Sequence, residues 1–288
     1  MKTTIQRFDV RLQDLIWGGR KLASKYGKGD GSHLRIAESW ETCESVDDLP
    51  VLLKWIDTDL PTSVHVHPDK EMTETLGYPC ENESEIWVVA EAEPESRLGI
   101  GFSQEVTREE VLRALNERTL ELLINNFEAQ PGDCFVVPPG TIHYLDGGIT
   151  LLEVAAKSNV TLRLYDWLRD VTTAREVSVA ESLTAMNFSA STPLRTFLPN
   201  CEESFRVSHG SEKIDLRWRE ITGEMTWCHS EKKRFITLLS GEGVLNRSEK
   251  VCQGESLLIP EEGIILKAGP TNCTILEIET TEQQENNQ

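Results

Sequence analysis

Residues 131–143, PGDCFVVPPGTIH, constrain the fold more than any other stretch of this chain. A Gly-Asp turn opens a short apolar strand, Pro138-Pro139-Gly140 reverses the backbone, and His143 emerges at a set place beyond the turn. Such a segment belongs to a β-structure that delivers a polar side chain from a strand end. The same frame recurs in outline at Gly254-Glu255-Ser256-Leu257-Leu258-Ile259-Pro260, without a histidine after the proline. The repetition predicts two related barrels, the second lacking a metal.

The surrounding sequence agrees with a mainly β chain. Runs at 51–57, 86–90, 134–138, 149–156 and 160–166 read as strands, with Asp146-Gly147-Gly148 as a hairpin turn. A second group is expected at Arg234–Leu239, Glu255–Pro260, Ile264–Lys267 and Cys273–Ile278. One helix interrupts the strands. Thr107 and Glu110 can form a capping box, and Val111, Leu112, Leu115, Leu122 and Leu123 follow on one predicted face. A shorter helix is expected near 176–187. The organisation predicted is a first barrel over 1–170 with a helical insertion near 104–125, a connector over 171–200, a second barrel over 201–280 and a disordered tail over 281–288. The run Gly27-Lys28-Gly29-Asp30-Gly31-Ser32 lacks the spacing of a phosphate loop and reads as a surface turn.

Charge narrows the function classes. A formal net charge of -19 over 288 residues repels both nucleic-acid phosphates and anionic lipid. Seven cysteines, none at knuckle spacing, fit reduced thiols rather than a disulfide framework. The N-terminal segment has no apolar signal core, and no run of 18 apolar residues occurs. The expectation is a soluble cytoplasmic protein.

The chemistry-bearing residues cluster in the first half. His65 and His67 are two positions apart, so a strand would place them on one face. Glu85 opens the apolar strand SEIWVVA, where a carboxylate needs a partner such as a cation. With His143 these give three imidazoles and one carboxylate. That donor set suits one divalent metal, Zn²⁺ foremost, with Fe²⁺, Mn²⁺, Co²⁺ and Ni²⁺ also compatible. His209 and His229 have no partners at ligand spacing and read as structural.

Taken together, these motifs resemble the short-form bacterial and archaeal mannose-6-phosphate isomerases of the cupin superfamily. The resemblance is carried by Ile16-Trp17-Gly18-Gly19, Ala37-Glu38-Ser39-Trp40-Glu41, Leu52-Leu53-Lys54, Ser63-Val64-His65-Val66-His67-Pro68-Asp69, Glu85-Ile86-Trp87, the 131–143 motif and Arg163-Leu164-Tyr165-Asp166-Trp167. It implies cupin jelly-roll barrels and a metal held by His65, His67, Glu85 and His143. It implies catalytic roles for Arg163, Glu153 and Lys54, and substrate contacts at Glu38, Trp17 and Lys70. The implied reaction is aldose–ketose isomerisation of mannose 6-phosphate to fructose 6-phosphate, by a monomer or homodimer. The proton-shuttling base stays open among Glu153, Glu38 and a water on the metal. Two departures stand out: His65 replaces the family's glutamine, and Glu83 replaces its lysine two residues before Glu85. They leave two other readings open, a non-catalytic or differently specific sugar-binding cupin and an iron-dependent cupin dioxygenase.

Overall fold

A computed structural model describes residues 5–32, 35–42, 51–78, 84–155, 160–169, 176–209 and 212–282. Antiparallel strands in three sheets dominate it. A seven-stranded sheet runs in the order Leu194–Phe197, Asp133–Val137, Glu85–Ala92, Ile149–Ala155, Leu52–Asp57, Glu38–Thr42, Asp9–Gln13. A five-stranded sheet runs Leu162–Tyr165, Val64–Val66, His143–Leu145, Arg97–Phe102, Ile124–Glu128. An eight-stranded sheet is built around Lys233–Leu245 and Ile264–Glu282.

The seven-stranded sheet is the middle layer. On one face Ile86, Val88, Leu53 and Trp55 pack against Phe235, Leu276 and Ile278 of the eight-stranded sheet. On the other, Trp87, Val89 and Leu151 meet Leu98, Ile100 and Leu145 of the five-stranded sheet. Burial on both faces explains why Ile149–Ala155 is buried at every position and shows no simple alternation. Glu153 is the one ionisable residue in that strand, and it points into the first barrel, which holds the site. The interior of the second barrel is filled by Ile236, Leu238, Leu257, Leu266, Ile275 and their neighbours.

The strand runs of the first group form strands within a residue or two of the expected bounds, whereas the expected Arg234–Leu239 is part of a longer strand, Lys233–Leu245. The Thr107 capping box forms with both reciprocal bonds and starts the helix Arg108–Glu117. The predicted apolar face is corrected beyond it. Arg118 adopts φ 59°, which ends the helix, and Leu120–Leu123 continue as a 3₁₀ turn with a different phase. Leu122 is therefore 73% exposed, and Leu112 is also exposed, while Val111 and Ala114 are buried. The helix Val179–Ala185 lies within the expected 176–187 segment. A further helix, Lys70–Leu76, capped by Asp69 and closed by Gly77 at φ 76°, was not anticipated.

Two other expectations change. The segments Ile264–Lys267 and Cys273–Ile278 belong to one strand, Ile264–Glu282. Its register against Lys233–Leu245 slips between Gly241 and Gly243, which accommodates Pro270 where a regular ladder could not. The 27–32 run does turn with positive φ at Gly27, Gly29 and Gly31. Yet Lys28 is buried and donates to Glu41 Oε1 at 2.7 Å, so the segment is anchored. Thr281 and Glu282 lie in a strand, and the rest of the expected tail lies outside the described residues. The cysteines among the described residues are free thiols. No helix among them is long and apolar enough to cross a membrane.

Candidate functional site

Strand register assembles the first half of the site. His65 is the cross-strand partner of His143 on one side and of Arg163 on the other. The His-x-His spacing then puts His67 on the same face. The three imidazole rings lie 4.2–5.2 Å apart, and one ligand atom from each falls within 4.8 Å of the others.

Backbone carbonyls orient all three rings. His65 Nδ1 lies 2.6 Å from Ser63 O, His143 Nδ1 2.8 Å from Thr141 O, and His67 Nδ1 2.7 Å from Val160 O. A carbonyl can only accept, so each Nδ1 carries the proton and each Nε2 is turned inward. Glu85 reaches the same point from the opposite sheet. Its Oε1 is 2.9 Å from His67 Nε2 and its Oε2 is 3.7 Å from His143 Nε2. His143 is 1% exposed, and its buried Nε2 has no hydrogen-bond partner among the described residues. Such an atom costs about 1–3 kcal/mol unless something satisfies it. A divalent cation would do so, and three imidazoles plus a carboxylate are the donors such an ion takes. The residues present therefore fit a metal.

The electrostatics follow from this packing. Burial and the neighbouring His143 and His67 hold His65 well below the usual histidine range. Burial likewise lowers His143, to about 4, against the pull of Glu85. At His67 burial opposes the charge, but Glu85 outweighs it and raises the pKa. Glu85 resists burial through His67, His143 and Lys54, and stays ionised far below the ordinary carboxylate range.

The second half of the site is a row across four adjacent strands. Trp40 pairs with Lys54, Lys54 with Glu153, and Glu153 with Trp87. Lys54 Nζ donates to Glu153 Oε1 at 2.7 Å, both side chains being buried, and sits 5.4 Å from the centroid of Trp40. Burial opposes the Lys54 charge, but Glu153, Glu85 and Glu38 outweigh it and raise its pKa. Glu153 is pushed up to about 7 by burial and by Glu85, with Lys54 pulling the other way. Glu38 accepts the Trp40 indole N–H at 2.7 Å.

One cavity joins both halves. Its wall includes His65, His67, Glu85, Lys54, Glu153 and Arg163, and it also takes in Glu38, Trp17 and Trp87. His143 closes the cluster from behind, fully buried. Lys70 is the exposed first residue of its helix and does not line the cavity. Glu83 lies outside the described residues. His229 is exposed, and the side chain of His209 lies outside the described residues. Sequence reasoning missed Trp87 as a site residue. The signal was present: Glu38-Ser39-Trp40 and Glu85-Ile86-Trp87 both place a tryptophan two positions after a cavity-facing carboxylate.

No protein-family model matches the chain. Individual relatives do. The mannose-6-phosphate isomerase ManA of Bacillus subtilis is 26% identical over 74% of this chain and 70% of its own length. The mannose-6-phosphate isomerase of Streptococcus mutans is 25% identical over 73% of this chain and 68% of its own. A crystal structure of mannose 6-phosphate isomerase from Bacillus subtilis superposes with a TM-score of 0.78 at 19% identity, covering 96% of this chain and 99% of that one. The fold is thus the cupin-like fold of that structure.

Proposed function

We propose that this chain, a relative of the cupin-type mannose-6-phosphate isomerases, is itself a metal-dependent aldose–ketose isomerase that interconverts mannose 6-phosphate and fructose 6-phosphate. The observation that carries the reading is the juxtaposition in one cavity of a cation-ready cluster and a buried Lys54–Glu153 pair flanked by Arg163. His65, His67, Glu85 and His143 would hold one divalent ion, Zn²⁺ by its donor set. When bound, that ion supplies Lewis-acid stabilisation of the negative charge that develops on the sugar oxygens during enolisation.

The protein's own groups do the rest. Glu153 takes the proton from one sugar carbon and returns it to the neighbouring one, and a pKa near neutrality suits both directions. Lys54 holds Glu153 Oε1 and keeps part of its carboxylate population ionised. Arg163, beside His65 in the sheet, carries a charge that no working pH removes and stabilises the same developing oxyanion. Glu38, fixed by Trp40, accepts from sugar hydroxyls, and Trp17 offers an apolar wall to the ring.

The test is a coupled assay for conversion of mannose 6-phosphate to fructose 6-phosphate, with divalent metal stripped and then restored. Turnover should vanish on stripping and return with Zn²⁺. His143→Ala should lose bound metal and activity together. Arg163→Ala should keep the metal and lose about 10²-fold or more in kcat. Near-normal turnover by Arg163→Ala would remove it from the mechanism.

A further inference from the structure

We infer that Trp87 is the positioning residue of the centre, its single indole N–H being shared between the metal-binding carboxylate and the carboxylate that moves the proton. This rests on the reading above. Trp87 Nε1 lies 3.1 Å from Glu85 Oε2 and 3.3 Å from Glu153 Oε2. The remaining oxygen of each acid is already engaged: Glu85 Oε1 faces His67 and Glu153 Oε1 faces Lys54. Trp87 thus links the His67–Glu85 pair to the Lys54–Glu153 pair through one donor.

The geometry leaves the indole little freedom. Trp87 is 2% exposed, and its backbone is paired with Phe135 on one side and Glu153 on the other. Its ring meets the His143 ring nearly edge-on, with centroids 5.4 Å apart and planes at 74°. It therefore touches two of the four candidate ligands as well as Glu153. Two buried carboxylates brought this close repel each other, and a shared N–H between them offsets that repulsion and fixes which oxygen of each is turned away. Glu85 is then held with Oε1 toward His67 before any ion arrives, the role that outer hydrogen bonds play at metal sites generally. Trp40 provides the contrast. It makes the same bond to the carboxylate two residues before it, but that carboxylate is Glu38, which is not among the ligands.

Two replacements separate the N–H from the ring's bulk. Trp87→Phe removes both, whereas incorporating benzothienylalanine at position 87 keeps the fused ring and lacks only the N–H. Each folded protein is titrated with Zn²⁺ against a chromophoric chelator and with Co²⁺ followed by its visible ligand-field absorption. Both variants should bind Zn²⁺ about 10–100-fold more weakly and show an altered Co²⁺ spectrum, while Trp40→Phe keeps the wild-type Zn²⁺ affinity. Wild-type affinity and spectrum in the benzothienylalanine protein would overturn the inference and leave the metal reading standing. Failure of the unmodified chain to take up either ion would bring down both.

Discussion

His67 Nδ1 donates to Val160 O, and its Nε2 lies 2.9 Å from Glu85 Oε1, a contact that becomes a donated bond when the ring is an imidazolium. A metal ion needs the Nε2 lone pair, so ion uptake must expel that proton. Burial works against the charge and Glu85 outweighs it, raising the pKa above the usual histidine range. Below the raised value, one proton should leave per ion bound, and Zn²⁺ affinity should fall about tenfold for each pH unit lost. Above it both effects disappear. Calorimetric titration in buffers of different ionisation enthalpy measures the proton directly, and a pH-independent affinity would contradict the assignment. Lys54 makes the complementary case. It is what holds Glu153 down against burial and Glu85, so Lys54→Met should push that carboxyl further up and leave it protonated at neutral pH. Turnover should drop by about 10²-fold or more. Breaking a buried pair costs up to about 3–5 kcal/mol, less here because Glu153 can neutralise itself, and denaturant unfolding measures the loss.

Among the elements, the turn before His143 carries the most function per residue. Gly140 has φ 77°, its N–H bonds His67 O at 2.7 Å, and its carbonyl accepts from Asn187 N at 2.8 Å. It therefore ties two histidine-bearing segments to each other and to the chain beyond the helix Val179–Ala185. Gly140→Ala places a side chain in left-handed backbone, with its Cβ 3.2 Å from Ala185 O. Stability should fall by about 1–2 kcal/mol, with a measurable loss of Zn²⁺ affinity by chelator competition. Much of this turn was legible, because Gly132 and Gly140 stand where the backbone needs positive φ and His143 follows at a fixed offset. The His65–His67 pair was legible from strand periodicity alone. What stayed hidden depends on longer-range packing. The periodicity that put Leu122 on a helical face could not see the chain leave the helix at Arg118. A lysine among glycines gave no hint that Lys28 would be buried against Glu41. Spacing put Trp87 on the face of Glu85 but said nothing of Glu153, which lies 66 positions away along the chain.

For the whole molecule, the middle sheet packs against both of the others, and the two barrels should therefore unfold as one thermodynamic unit. Phe235, fully buried, belongs to the same core as Trp55, Ile86 and Leu276, so residues from both barrels surround it. Phe235→Ala should cost about 3–5 kcal/mol. It should also move tryptophan fluorescence and metal release together in a denaturant titration, whereas separate transitions would mean that the barrels unfold independently. The strand Gln6–Arg7 carries the same coupling to its limit. It pairs with Leu257 and Leu258 of the eight-stranded sheet, and Phe8 N bonds Ser256 O. A ribosome making about 5–20 residues per second delivers this strand roughly 10–50 s before its partner exists. Gln6–Arg7 can therefore dock only after Leu257 and Leu258 have been made, and the edge of the eight-stranded sheet that it forms waits on them.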